Sequence, residues 1–279
     1  MSVIVPIYNA QRTVEDCLES LLALDYPRDR LQLLCVDNAS TDRTPQILAR
    51  YATRIGVLYE DKRGPAAARN RGLRCATGEI IAFTDSDCVV DRLWLRFLVA
   101  PLHDASIGAV GGTILSKRPC NSIERFGEQI HDHERAIHEF MPPYVITMNW
   151  SSRLSVLRDV GLFNEELLRS QDVDLSYRLL QAGYTLAYEP RAVIYHQNER
   201  TPWGLMHEGY VHGYHAVRVL QLHAAFLQQV RAAGRHGTRS GAAAARRDWN
   251  AALWSRLFRF GKTLGRTHAS LMATVRGAR

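Results

Sequence analysis

The sequence predicts a layered α/β domain built on a mostly parallel sheet, followed by a basic α-helical C-terminal extension. Two observations carry this. Apolar runs of strand length alternate with helix-like segments through the first half of the chain. The charge is also divided: residues 1–199 hold 22 Lys and Arg against 26 Asp and Glu, whereas residues 200–279 hold 13 against 2. The whole surplus behind the net charge of +7 therefore lies in the last 80 residues. An acidic body with a basic tail argues against a uniformly basic nucleic-acid binder and for a separate surface-binding element.

Taken in order, Val3–Pro6, Leu31–Val36, Ile55–Glu60 and Ile80–Thr84 read as strands. Between them Thr13–Leu24 gathers Val14, Leu18, Leu21 and Leu22 near one face, and Thr44–Tyr51 and Ala67–Cys75 are helix-compatible. Asn, Asp, Ser and Gly follow the first strands, as turns at the carboxyl edge of such a sheet require, and that edge is where open α/β sheets bind ligands. Arg92–Leu102 reads as a helix and Ala109–Ser116 as a strand; the polar, His- and Glu-rich stretch 119–143 reads as a helix or lid. Asp172–Ala182 is a helix stopped by Gly183, and two short strands, Thr185–Tyr188 and Ala192–Tyr195, follow. Beyond Pro202 helical runs are interrupted by a linker at 234–241, so the expected domains are 1–200 and 201–279.

With 46% hydrophobic and 23% charged residues the chain can bury an ordinary core. No apolar run has the length of a membrane span, and the strand-like start SVIVPIYN does not read as a secretory signal, so a cytoplasmic location is expected. The five cysteines are odd in number and lack CxxC or Cys/His spacing, which implies neither a disulfide framework nor a zinc site.

The sharpest chemical feature is FTDSDC. Asp85 and Asp87, one residue apart at a strand end, direct carboxylate oxygens into one small volume, a hard donor set suited to Mg²⁺ or Mn²⁺ held jointly with a diphosphate. Alone, such a triplet is equally compatible with a solvated turn. Asp37, in VDNASTD, ends another strand and suits a pyrimidine N–H or a ribose hydroxyl, while Tyr8 offers a flat face for a base; shaping a turn is the alternative for Asp37. RGPAAARNRG adds a small-residue helix start with Arg63, Arg69 and Arg71, groups suited to phosphate oxygens. Its spacing is that of neither a Walker loop nor GxGxxG, so ATPase and dehydrogenase chemistry are not supported.

Together, SVIVPIYNA, VDNASTDRT, GPAAARNRG, FTDSDC and DVGLFNEELLRSQDVDLSYRLLQAG, in this order over residues 2–200, closely resemble the family 2 glycosyltransferases. That resemblance implies a GT-A type fold, a Rossmann-like mixed sheet flanked by helices, and transfer of a sugar from a nucleotide-diphosphate donor. It places Pro6, Tyr8 and Asp37 on the donor side, Arg69 near the nucleotide, Asp85 toward ribose or metal, and Asp87 on a divalent metal, Mn²⁺ or Mg²⁺. It makes Asp172 the general base that deprotonates the acceptor hydroxyl, where an N-cap carboxylate is the alternative. Gln171 stands where the family pattern has Glu, which points to unusual acceptor recognition. His196 is a candidate third metal ligand or a packed residue; Asn149 and Trp150 are candidate acceptor-pocket residues, Trp150 being equally suited to the core. The motif QxxRW is absent, which favours one sugar per encounter over processive synthesis.

A UDP-sugar is the first expectation for the donor, and a glycan or lipid-linked intermediate for the acceptor, with inversion at the sugar carbon. A sugar nucleotidyltransferase is the runner-up, although IYNAQRT is not the Gly-rich basic loop that class carries after its first strand. A catalytically inactive binding module is the other alternative, hinted at by Gln171 and opposed by the intact Asp85, Asp87 and Asp172. His131, His133 and His138 read as a solvated, charged helical face. In the tail, Trp249, Leu253, Leu257, Phe260 and Leu264 form one apolar stripe flanked by Trp254 and Phe258, with Arg247, Arg256, Arg259, Lys262 and Arg266 around it. The stripe suits either an anionic membrane interface, making the protein peripheral at the inner face of the cell membrane, or packing on protein. The oligomeric state is left open.

Overall fold

The computed structural model describes residues 1–234 and 249–277. It divides into two compact units, one of residues 1–117 and 131–197, the other of residues 118–130 and 198–279.

The first unit is built on an eight-stranded mixed sheet. Its strands are β1 (Ser2–Ile7), β2 (Gln32–Asp37), β3 (Gly56–Tyr59), β4 (Ile80–Thr84), β5 (Cys88–Val90), β6 (Ile107–Ser116), β7 (Asn149–Arg153) and β8 (Thr185–His196), in the order β3-β2-β1-β4-β7-β6-β8-β5. The run β3-β2-β1-β4 is parallel, β7 is antiparallel to both β4 and β6, β6 and β8 are parallel, and β5 is antiparallel to β8. Strand β1 shows why the parallel part reads as an unbroken apolar run. Val3, Val5 and Ile7 enter the core on one face with α1 (Val14–Leu22) and α2 (Thr44–Tyr51), while Ile4 enters the other with α3 (Pro65–Cys75). Gly72 of α3 lies against Ile4, where an added Cβ would need Ile4 to move.

Three sequence expectations change here. Arg92–Leu102 is a short helix, α4 (Trp94–Leu98), followed by a 3-10 turn at Ala100–His103, since Pro101 cannot donate to a continuing α-helical ladder. The two strands expected near 185–195 are one strand, β8, whose register with β6 shifts between Gly112 and Thr113 opposite Glu189–Ala192. The solvated histidine face is also corrected. His131 and His133 are buried, and His133, at the start of α6 (His133–His138), is 1% exposed; only His138 is on the surface. The His133 Nδ1–H donates to the Gly112 carbonyl at 2.6 Å, and its Nε2 accepts from the Ile146 N–H at 2.6 Å. Both ring nitrogens thus serve backbone groups, and burial pushes the imidazole pKa down to about 4.

The second unit is helical: α5 (Ser122–Ile130), α9 (Pro202–Leu222), α10 (Ala224–Gly234) and α11 (Trp249–Gly277), with α7 (Leu154–Asp159) and α8 (Gln171–Gln181) belonging to the first unit. Helix α9 opens on a Thr201 cap that accepts from the Gly204 N–H at 3.0 Å, with Pro202 at its first position. Ile123, Phe126 and Leu205 form a small core joined by Trp254, Leu257 and Phe258. Beside it the buried Glu124 accepts from the Arg200 guanidinium at 2.8 Å. The expected linker lies, beyond Gly234, outside the described residues, as do Arg247 and Asp248. Among the described residues no helix is long and apolar enough to cross a membrane.

Candidate active site

Three parallel strands end side by side, and their following residues share one edge: Tyr8 after β1, Asp37 closing β2, and Asp85 after β4. Asp37 is buried, and one of its carboxylate oxygens accepts from the Ser40 N–H at 3.1 Å, so the turn role is real and the other oxygen carries no bond to that turn. Tyr8 is exposed; its hydroxyl accepts from Arg63 at 2.7 Å, and the guanidinium stands 5.1 Å from the ring centre. Pro6, half-buried in β1, sits opposite Val36 in register. Asn38 ties this edge to α3: its amide donates to the Glu60 and Lys62 carbonyls and accepts from the Gly64 N–H at 2.8 Å. Gly64 has φ +128°, a conformation open to glycine, and it starts α3.

Helix α3 carries Arg69 into the site. It is 3% exposed, pairs with Asp85 at 2.7 Å and lies 5.7 Å from the Phe163 ring centre. Its Nε and Nη1 are buried without a hydrogen-bond partner. A buried guanidinium with two unmet donors is costly unless an anion supplies acceptors, so these nitrogens suit phosphate oxygens. Asn70, next in the helix, pins the loop beyond α7 by bonds to both backbone groups of Phe163 and to Glu165 at 2.9 Å. That loop leads to α8, entered through Ser170 in the left-handed region at φ 59°.

Asp172 lies in the first turn of α8 and accepts from the Val173 N–H at 2.9 Å. Burial raises its carboxyl above the usual range; the Val173 N–H and Arg69 oppose this, and Asp85 adds to it. Asp172, Arg69 and Asp85 therefore feel one another's charge although they come from α8, α3 and the end of β4. Tyr144 belongs to the same neighbourhood: burial, and after it Asp172, pushes its hydroxyl up to about 12. No motif pointed to Tyr144. Asp174 is structural, buried against Arg178 at 2.7 Å, and Gln171 is buried beside Asp172.

Strand β5 returns the chain along β8 and pairs Cys88 with His196. His196 Nε2 consequently stands 3.5 Å from an Asp87 carboxylate oxygen, and the Gln197 N–H bonds the Asp87 carbonyl at 3.2 Å. Burial raises the Asp87 carboxyl, but the neighbouring imidazole, its own backbone N–H and the Cys88 thiol together hold the group below the usual carboxylate range. The structure brings Asp87 and His196 together, while Asp85 turns one carboxylate oxygen to Arg69; carboxylate and imidazole are donor types that suit Mn²⁺ or Mg²⁺.

Two expected acceptor residues are corrected. Asn149 and Trp150 open β7 and are both 0% exposed. Asn149 accepts from Trp94 Nε1 at 2.8 Å and donates to the Thr113 and Ala192 carbonyls, each at 2.9 Å, so its amide is spent inside the fold. Trp150 pairs with Phe83 across the sheet and belongs to the core.

A curled, mostly parallel mixed sheet flanked by helices is the GT-A fold, and solved structures of that type share it. The Pyrobaculum calidifontis mannosyltransferase PcManGT, in complex with GDP-Man and Mn²⁺, superposes with a TM-score of 0.63 at 24% identity over 95% of this chain and 83% of that one. Staphylococcus aureus TarS in complex with UDP gives 0.57 at 23% identity over 84% and 71%. The profile described as Glycosyl transferase family 2 matches residues 2–160, and the chain belongs to that family. Among characterised sequences it is 31% identical over 194 residues to the glycosyltransferase AglE of Haloferax volcanii, covering 67% of this chain and 64% of that protein. It is 35% identical over 152 residues to a pre-mycofactocin glycosyltransferase of Mycobacterium tuberculosis, covering 52% and 32%. The chain thus spans less than two thirds of the length of these relatives.

Proposed function

We propose that the chain is a divalent-metal-dependent, inverting glycosyltransferase that moves one sugar per encounter from a nucleotide-diphosphate donor to a hydroxyl of a glycan or lipid-linked acceptor. The observation that carries this reading is the buried Arg69, paired with Asp85, lacking partners for two nitrogens, and within the electrostatic reach of Asp172. In this scheme Tyr8 supports the base, and Pro6 and Asp37 complete the donor edge. Arg69 meets the diphosphate while Asp85 orients ribose or metal. Asp85, Asp87 and His196 would hold the Mn²⁺ or Mg²⁺, which when bound neutralises charge on the leaving diphosphate. Asp172 takes the proton of the acceptor hydroxyl; a carboxyl raised by burial is a stronger base than a solvated one. Gln171 is left as the residue beside that base through which acceptor recognition departs from the family pattern. UDP-sugars come first among donors, with GDP-linked sugars next, GDP-Man being the compound bound in the PcManGT structure.

The test is to incubate the protein with Mn²⁺ and a panel of UDP-, GDP- and dTDP-sugars, with and without glycan acceptors, and to measure free nucleoside diphosphate and pyrophosphate separately. Release of nucleoside diphosphate that rises with acceptor is expected. Pyrophosphate would instead identify a nucleotidyltransferase, and tight donor binding with neither product would identify an inactive binding module.

A further inference from the structure

Helix α11 is fastened to α9 by glycines and by only part of its large apolar side chains. Gly209 and Gly213 of α9 face the Phe258 and Lys262 carbonyls, and Gly261 and Gly265 of α11 face those of Met206 and Tyr210. An added Cβ at any of the four would collide with the opposing backbone. Trp254, Leu257 and Phe258 complete the packing with Ile123, Phe126 and Leu205. The stripe seen in the sequence is therefore split, and a second side of α11 stays uncovered. Leu253, Phe260, Leu264 and Leu271 are 53%, 57%, 45% and 61% exposed. Their spacings of seven, four and seven residues align them along one side of the helix for about 27 Å. A line of large apolar residues this long normally faces a core; here the helix is already docked without it.

We propose that this side of α11 docks onto an anionic lipid surface, the helix lying in the interfacial plane with Leu253, Phe260, Leu264 and Leu271 toward the acyl chains and arginines at the headgroup phosphates. Charge selects the occupant. Arg256, Arg259 and Arg266 are exposed, and no acidic residue occurs from Trp249 to Gly277. A second copy docking by the same side would bring two wholly basic helices together, whereas an anionic bilayer neutralises them. The attachment is superficial and reversible, since each cation contributes only about fivefold in affinity and each large apolar side chain about tenfold or more. It does not depend on the transfer reaction.

The experiment is co-sedimentation of the full chain at low salt with phosphatidylcholine vesicles that contain or lack phosphatidylglycerol, alongside sedimentation velocity without lipid. Wild-type protein is expected on the anionic vesicles, with binding reduced by about a hundredfold when the anionic lipid is left out. The combined variant Leu253→Ser, Phe260→Ser, Leu264→Ser should lose on the order of a thousandfold in binding while remaining folded, because these side chains are about half exposed and lie outside the packing with α9. Should that variant fold poorly, Arg256→Gln, Arg259→Gln, Arg266→Gln tests the same face and should abolish the preference for anionic lipid. Equal recovery of wild type and both variants, or no wild-type binding to anionic vesicles, overturns the proposal. So does a lipid-free dimer that the serine variant dissociates, since it assigns the face to a second copy.

Discussion

Acid should weaken the fold through one buried ring. His133 bonds the Gly112 carbonyl and the Ile146 N–H with its two nitrogens, which requires the neutral imidazole, because a protonated Nε2 could no longer accept. Its pKa falls from the ordinary 6.5 to about 4 on folding. The folded state thus binds fewer protons than the unfolded chain between those values. The stabilisation is fully present above pH 6.5 and is lost as the pH falls toward 4, by about 3 kcal/mol at about 1.4 kcal/mol per pH unit. The perturbation is His133→Gln, which removes the titration. Urea unfolding followed by near-UV circular dichroism at several pH values between 4 and 7.5 gives the slope for each protein. The variant should be less stable at pH 7.5, having lost one of two buried bonds, yet its stability should fall less steeply as the pH drops. Parallel pH profiles for the two proteins would refute the neutral, doubly bonded assignment.

Asp172→Asn keeps the shape of the side chain but cannot take a proton, so sugar transfer should fall by a factor on the order of 10² or more in steady-state assays while donor affinity holds. Because the Asp172 carboxyl is raised on folding, its ionised form costs stability that returns only as the pH falls. The same variant should therefore melt higher at pH 7.5, and a lower melting temperature there would contradict the burial argument. Gly213→Ala drives a methyl group into the Lys262 carbonyl and should destabilise the helical unit by about 1–3 kcal/mol in thermal melting. An unchanged melting curve would mean that α9 and α11 separate without cost.

The sequence made the parallel half of the sheet legible because β1, β2 and β4 are buried on both faces and end in residues with turn chemistry, β3 being an exposed edge strand. Strand β4 runs over Ile80–Thr84 as read, and Asp85 and Asp87 follow it. Strand β7 was hidden by its composition. Its sequence NWSSR is polar, yet Ser151 and Ser152 satisfy their hydroxyls on the Leu98 and Gly108 carbonyls and stay buried. Asn149 and Trp150 were placed at the acceptor pocket by the resemblance alone; the local sequence does not show that the Asn149 amide is spent on Trp94, Thr113 and Ala192, and for Trp150 the core alternative is the one observed. His133 repeats the lesson, since no local pattern says that two distant backbone groups will meet one ring. The meeting of Asp172 with Arg69 and Asp85 was supplied by motif order and not by any spacing, because α8 lies some 90 residues beyond Asp85 in the chain. The apolar line of α11 was visible as a helical repeat, but its division into a docked and an exposed side depends on the glycines opposite.

If the edge bearing Asp85, Asp87 and His196 binds a nucleotide diphosphate together with a divalent metal, isothermal titration of UDP and GDP into wild-type protein and Asp87→Ala, each with and without Mn²⁺, will show it. Wild type should bind at least one of the nucleotides more tightly with Mn²⁺ than without, and Asp87→Ala should lose that metal-dependent gain while its melting temperature stays near wild type. Equal metal-dependent affinity in the two proteins would contradict the assignment of the site.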